Sequence, residues 1–575
     1  MMPFANIDTV SRNAAIAAAA VLIVSCAGQA PPPGGPEDRT PPEIVTTYPE
    51  QFSTTYADRM IVLEFSEYVD HRSVENAVFI SPDVGPLEFD WSGREVEITF
   101  GDSLRNATTY VVTVGTDVVD LRNRNRMARA ATLAFSTGGE IDRGAITGVV
   151  YPESNEAARS GVLVMAYRLD GLTADTLDAR WSKPDYVTQT GSAGEFALQH
   201  LRFGRYRLLA LRDEYRNLLY DPQTDAFGLL EDDLVLSTSD TLIEQLGVKM
   251  AIEDTTGPNL IKAAGRSLQM VELEFSEPIE NDAVPTGAVH VLDTLTGKAL
   301  EVLEVAVRSP NRFMYQLITA AQESLATYRI TVMGVRDSAG NAISPIANSL
   351  TFGPELSVDT TGFSFTGASV RDSARSLPFR PTIELYGSRP VSSAIAAGAV
   401  TLSDTLGRAV ALELAWRGSL TLSVRPARDL AAEAWYRLNI RERAFKDVLG
   451  RFGRDTTITI AFQVISAELL GSIEGSVVDQ STDDANGPIV VLAQPVEQGQ
   501  ASALRVVIPE PGPFVLPNLV EGRYVLAAFR DRNSNGLFDP GSVVPHKPSE
   551  RFRLGSDTLR VRARWPYEGA ILRLR

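Results

Sequence analysis

The sequence predicts an all-β chain, a tandem array of two-layer β-sandwiches, on three observations. Short stretches alternate apolar and polar residues, as in Ile61-Val62-Leu63-Glu64-Phe65-Ser66-Glu67, and period two puts one face of a strand in a core. Two unrelated patterns each recur along the chain and interleave, which marks a modular architecture. The length of 575 residues exceeds one hydrophobic core: at roughly 150 residues per domain it gives about four, and smaller sandwiches allow five.

Composition narrows the class. With 44% hydrophobic and 22% charged residues, the chain is a soluble globular array rather than a disordered or polytopic one. A formal net charge of -18 argues against nucleic acid or anionic lipid as partners, because both require clustered Lys and Arg to replace counterions. The same charge suits solubility in a crowded envelope, or cation binding.

The amino terminus is read as a targeting segment over residues 1–25. From Ala14 to Val24 runs an apolar stretch, preceded by Arg12 and followed by Ser25 and Cys26. It is too short to span a bilayer and has the layout of a secretory h-region. Ile23-Val24-Ser25-Cys26 closely resembles a bacterial lipobox, and that resemblance implies that Cys26 carries the lipid and becomes the mature amino terminus. The alternative is an ordinary secretory peptide with a coincidental cysteine. Cys26 is the only cysteine, so no intrachain disulfide is available and the cores alone must hold the fold. Residues 26–39, with Pro31-Pro32-Pro33-Gly34-Gly35-Pro36, read as an extended tether. No acid follows Cys26, which by analogy with lipoprotein sorting leans toward the outer membrane.

The first repeated pattern opens with Asp38-Arg39-Thr40-Pro41-Pro42 and returns as Asp254-Thr255-Thr256-Gly257-Pro258. Each copy continues into a strand ending Phe-Ser-Glu, at Phe65-Ser66-Glu67 and Phe275-Ser276-Glu277, then into one opened by Tyr110 or Tyr328. A worn third copy occupies about Thr360 to Val464, with Ile383-Glu384-Leu385-Tyr386 and Trp435-Tyr436-Arg437-Leu438. Leu104 and Leu430 precede Tyr110 and Tyr436 by six positions, as expected if a loop folds over the sheet end and the tyrosine hydroxyl satisfies backbone there. These segments resemble the S-layer-type bacterial immunoglobulin-like domain. Its Asp-x-x-Gly-Asn turn is present as Asp337-Ser338-Ala339-Gly340-Asn341, more weakly around Asp120, and only as Asp447-Val448-Leu449-Gly450 in the third copy.

The second pattern, Gly194-Glu195-Phe196-Ala197-Leu198 through Gly204-Arg205-Tyr206-Arg207-Leu208 to Arg212-Asp213, recurs with constant spacing as Gly512-Pro513-Phe514-Val515-Leu516 through Gly522-Arg523-Tyr524-Val525-Leu526 to Arg530-Asp531. Its alternation predicts two antiparallel strands joined by a tight turn. The arrangement resembles small collagen-adhesin-B or carboxypeptidase-regulatory sandwiches, which are transthyretin-like and in many families act as stalks. The whole is therefore expected to be a tandem array of immunoglobulin-like and small transthyretin-like β-sandwich domains: 40–139, 254–354 and 358–466 of the first kind, 143–252 and 470–575 of the second.

The best candidate for chemistry is Asp531-Arg532-Asn533-Ser534-Asn535-Gly536-Leu537-Phe538-Asp539. Alternate oxygen side chains before a glycine surround a hard cation such as calcium, with Asp531, Asn533, Asn535 and Asp539 as ligands and Leu537 giving a carbonyl. Ser542 sits where a bidentate glutamate belongs, and the bland alternative is an Asn-Gly turn with polar decoration. The corresponding loop Asp213 to Asp221 lacks the glycine, so there the outer acids are expected to cap backbone N–H groups. Catalysis has little support. His71, His200, His290 and His546 fall in different modules, no nucleophile or phosphate-loop motif appears, and Glu64 with Glu67, or Glu274 with Glu277, belong to the repeated strand signature.

The expected role is non-catalytic: a lipid-anchored envelope protein that spaces, supports or binds a protein. Carbohydrate or polymer capture on Trp181, Tyr186, Trp416 or Trp565 is the alternative, and an accessory to an envelope hydrolase a more distant one. The expected partners are the membrane, through the anchor, and an envelope protein or glycan.

Overall fold

The computed structural model describes residues 38–154, 157–171, 176–280, 284–356, 362–392, 394–479, 487–497 and 503–574. Cys26 and the proline run lie outside them. Among the described residues the strands assemble into five sandwiches, and one short α-helix, His71–Glu75, is capped by the Asp70 side chain. No described helix is long and apolar enough to cross a membrane.

Three sandwiches share one topology. In the first, the sheet ordered Ile44–Tyr48, Met60–Phe65, Glu95–Phe100, Leu87–Ser92 faces Val78–Ser81, Thr109–Val114 and Ala131–Ser136. The second repeats this order with Leu260–Ser267, Met270–Phe275, Met314–Thr319 and Val302–Val307, and the worn third copy does so with Phe365–Ala368, Ile383–Gly387, Thr421–Pro426 and Leu412–Arg417. The third adds Ala374–Leu377, parallel to Thr457–Val464. Alternation explains the cores: Ile61, Leu63 and Phe65 are fully buried, as are Val271, Leu273 and Phe275, while the residues between them are more exposed.

The expected tyrosine role holds in all three. The hydroxyls of Tyr110, Tyr328 and Tyr436 accept from the backbone N–H five residues upstream, at Arg105, Glu323 and Ala431, over 2.7, 2.8 and 2.9 Å. Each tyrosine therefore pins the loop that crosses the sheet end, and its ring fills the core beneath.

The two small sandwiches, here called inner and terminal, match in their central strands, but in the inner one Ala226–Leu229 pairs with both Gly204–Arg212 and Leu242–Ile252 and joins the two layers into one sheet. Gly144–Tyr151 lies between antiparallel Glu195–Leu201 and parallel Leu242–Ile252, as Leu470–Asp479 lies between Pro513–Val520 and Pro566–Leu574. The expected hairpin is not what the repeat forms. Glu195–Leu201 pairs with Gly144–Tyr151, whereas Gly204–Arg212 pairs with Leu163–Arg168 in the other layer. The cause is local: His200 and Asn518 both sit at φ +59°, beside a register shift, so the strand bends into a corner that carries the chain between layers.

One layer of the inner sandwich is buried on both faces. Leu163–Arg168, Tyr186–Gln189 and Ala226–Leu229 have almost no exposed residue. Val164, Ala166 and Leu208 face its own core. Leu163, Met165, Leu209 and Leu229 face outward into a second cluster, completed by Phe79 of the first sandwich and Val543 and Val544 of the terminal one. Neighbouring units also dock: Thr116 Oγ1 donates to Thr190 O over 3.0 Å, Gln316 Nε2 to Ser388 O over 3.1 Å, and Ser419 Oγ to Glu304 Oε1 over 2.7 Å. Far along the chain, Ser549 Oγ donates to Leu229 O over 2.7 Å and Tyr151 OH to Leu554 O over 3.2 Å. The chain thus returns on itself and closes a loop of four sandwiches.

Candidate functional site

Three motifs that lie far apart in the sequence meet at one end of the immunoglobulin-like sandwiches. In the second sandwich, Asp254 of the opening motif, Glu277 at the strand end and Asp337 of the turn bring carboxylate oxygens within 4.8 Å of one another. The serine before the glutamate has its own task. Ser276 Oγ accepts from Asn259 N over 2.9 Å, and Ser66 and Ser388 accept likewise from Glu43 and Ser364, fixing the outer strand. Asp337, almost fully buried, accepts from Asn341 N over 2.8 Å, and Asn341 Nδ2 donates to Asp254 O over 2.8 Å.

The carboxylates repel. Burial, then Asp254 and Asp337, push the Glu277 carboxyl above its ordinary range, and burial, Asp120 and Asp38 do the same to Glu67. A proton or a cation would relieve either cluster. The third sandwich relieves it within the fold: its register places Arg389, in Ser388-Arg389-Pro390, where the others carry glutamate, with Val391 bridging to Asp447 as Ile279 bridges to Asp337. Arg451 Nε holds the far oxygen of Asp447 at 2.8 Å. Glu64, by contrast, pairs with Arg94 at 3.3 Å, so Glu64 and Glu67 do not face each other as an acid and base.

The Asp531 loop is organised by hydrogen bonds. Asp531, 2% exposed, accepts from Asn535 N and Gly536 N over 3.0 and 2.7 Å, Asn533 Nδ2 donates to Asp539 over 2.5 Å, and Asn535 Oδ1 accepts from Leu537 N over 2.6 Å. Gly536 takes φ +77°, the left-handed turn its position requires. The inner sandwich repeats the scheme, with Asp213 accepting from Asn217 N and Leu218 N over 3.2 and 2.8 Å.

Sequence reasoning missed the acid that closes each loop. Glu550 accepts from Arg532 N over 2.7 Å and from Asp539 N over 3.0 Å. Asp225 accepts in the same way from Glu214 N over 3.1 Å and Asp221 N over 2.9 Å. Burial pushes both carboxyls up, backbone donors oppose it, and the flanking aspartates add to the rise. The signal was an acid following the loop in both repeats, hidden because the spacing differs.

Of the aromatic candidates, Trp181 and Trp565 are 79% and 70% exposed. Tyr186 is buried in the inner core, and Trp416 is half-buried, edge-on to Phe445 at 6.0 Å.

A family model described as a bacterial Ig-like domain matches residues 38–137, the first sandwich. No curated protein matches the chain. Among solved structures, surface layer protein SbsC, domains 1-6, is 11% identical, covering 91% of this chain and 65% of that one with a TM-score of 0.17. The major pilin subunit BcpA of Bacillus cereus is 13% identical over 76% and 100%, with a TM-score of 0.13. Titin domains A168-A170 are 10% identical over 48% and 94%, with a TM-score of 0.14. The chain spans 44% of the N-terminal SbsC structure it also matches.

Proposed function

We propose that the chain is a lipid-anchored cell-envelope protein whose sandwiches form a non-catalytic scaffold for a partner protein, held at the outer membrane through Cys26. The observation that carries the scaffold reading is the side-to-side docking of units, above all the cover that Phe79 and Val543 place on the outer face of Leu163, Met165, Leu209 and Leu229 in the inner sandwich. A flexible string of beads has no use for that cover, whereas a platform of fixed shape does. The anchor rests on Ile23-Val24-Ser25-Cys26, and the match of residues 38–137 to a bacterial Ig-like domain favours an envelope role. The test is fractionation of cells expressing the whole chain and Cys26→Ser, with labelled fatty acid. The wild type is expected in membranes and labelled, the variant unlabelled and released. An equal distribution of the two would remove the anchor.

A calcium ion at Asp531, Asn533, Asn535, Asp539 and the Leu537 carbonyl is a second reading. It rests on the alternating oxygen side chains of the loop; the oxygens of Glu550 beside it already accept from Arg532 N and Asp539 N. Occupancy would require the loop to surrender some of its internal hydrogen bonds.

A further inference from the structure

The contact between the inner and terminal sandwiches is built from two unlike halves. The inner sandwich offers the apolar face of Leu163, Met165, Leu209 and Leu229, on which Val543 is seated, with Glu231 and Asp232 beside it. The terminal sandwich offers Arg530, Arg532, Arg551 and Asp479. Arg551 pairs with Glu231 and lies 3.3 Å from Asp232 and 3.0 Å from Asp479; Arg532 reaches Glu231 at 2.5 Å and Arg530 reaches Asp479 at 2.6 Å. Two carboxylates on one side thus meet three guanidiniums and one carboxylate on the other, and the whole is neutral only when the halves are together.

Two physical points say what such a contact is for. Buried ion pairs surrender much of their attraction to desolvation, so this set discriminates between partners more than it adds stability. The contact is also not enforced by local chain, since two entire sandwiches lie between its halves, and the effective concentration of one half at the other is set by how those sandwiches span the gap. An opened chain exposes an apolar face and an unbalanced charge set that nothing else described here complements as well as the same surfaces of another copy.

We propose that this contact is exchangeable, the terminal sandwich of one copy seating on the inner sandwich of a second copy and so linking chains. The arrangement at the seat is unchanged by the exchange, which is the usual low-cost route of domain swapping. It becomes competitive where copies are crowded, and it needs no new surface.

The experiment uses full-length chains in a Cys26→Ser background. Ser549 N lies 3.3 Å from Leu230 O, so these residues are neighbours across the seat. One chain carries Leu230→Cys, a second carries Ser549→Cys, and a third carries both. Under mild oxidation the double variant should give an intrachain disulfide. An equimolar mixture of the single variants should give a disulfide-linked heterodimer, whose yield rises at least several-fold as protein goes from about 10 μM to about 1 mM, and which Arg551→Glu in the Ser549→Cys chain abolishes. An intrachain product without any heterodimer at the highest concentration overturns the proposal. So does the absence of both products, because the seat would then not form, and so does a heterodimer that Arg551→Glu leaves untouched.

Discussion

Arg389 stands in the third immunoglobulin-like sandwich where Glu277 stands in the second, each two residues before the bridge to a buried aspartate, Asp447 or Asp337. One backbone site thus exists with opposite signs of charge in the same molecule. Where the residue is glutamate it joins a like-charged cluster; where it is arginine, the Asp447 carboxylate attracts it, although burial and Arg451 oppose its charge.

Glu277→Arg, which copies the third sandwich into the second, should raise the melting temperature by about 2 °C, the scale of a partly exposed charge change. Calorimetry on the full chain at neutral pH reads it. A lower melting temperature would show that the carboxylate cluster is not a source of repulsion.

The pH dependence has a definite sign. Glu277 and Glu67 have folded-state pKa values raised above their unfolded ones, so the folded chain takes up these protons first. Their unfavourable contribution is complete above the raised value and fades as pH falls through it toward the ordinary glutamate value of 4.5. The gain from Glu277→Gln over wild type should therefore be largest at neutral pH and shrink across that window. A gain independent of pH would contradict the assignment.

Tyr436→Phe removes the acceptor for Ala431 N while keeping the ring. The expected cost is about 1 kcal/mol, the worth of one such hydrogen bond, measured by urea unfolding. An unchanged midpoint would mean that the loop pins itself by other contacts.

Asp531→Ala leaves two backbone donors without their acceptor and should cost about 1–3 kcal/mol in calcium-free buffer. If the loop also holds calcium, the wild type gains melting temperature on adding the ion and the variant does not. Equal, calcium-insensitive transitions in wild type and chelator-treated protein would leave only the turn.

Trp181→Ala and Trp565→Ala should change stability by less than about 0.5 kcal/mol, as exposed sites do, whereas Trp416→Ala should cost about 3 kcal/mol. Loss of binding to an immobilised glycan in the first two variants, with melting unchanged, would favour carbohydrate capture over the scaffold alone.

Strands and cores were legible because alternation states which face is wet, as at Ile61, Leu63 and Phe65. The tyrosine role was legible because it depends on a short local offset. The corner at His200 and Asn518 was not, since alternation is the same whether two successive strands pair or part. Arg389 was hidden by its reversed charge, and by Gly387 standing where its counterparts have Phe65 and Phe275. The second face of the inner sandwich left a trace, the continuous apolar run Leu163-Val164-Met165-Ala166-Tyr167, which is the mark of a strand covered on both sides. What it could not name was the cover, because Val543 lies hundreds of residues downstream.

That return of the chain separates order along the sequence from distance in space. The last sandwich is not the tip of a stalk. Removing residues from Leu470 onward would not shorten a reach; it would strip the lid from Leu163, Met165 and Leu209 near the beginning of the array. A truncation series would then report on the solubility of the inner sandwich and not on how far the protein extends.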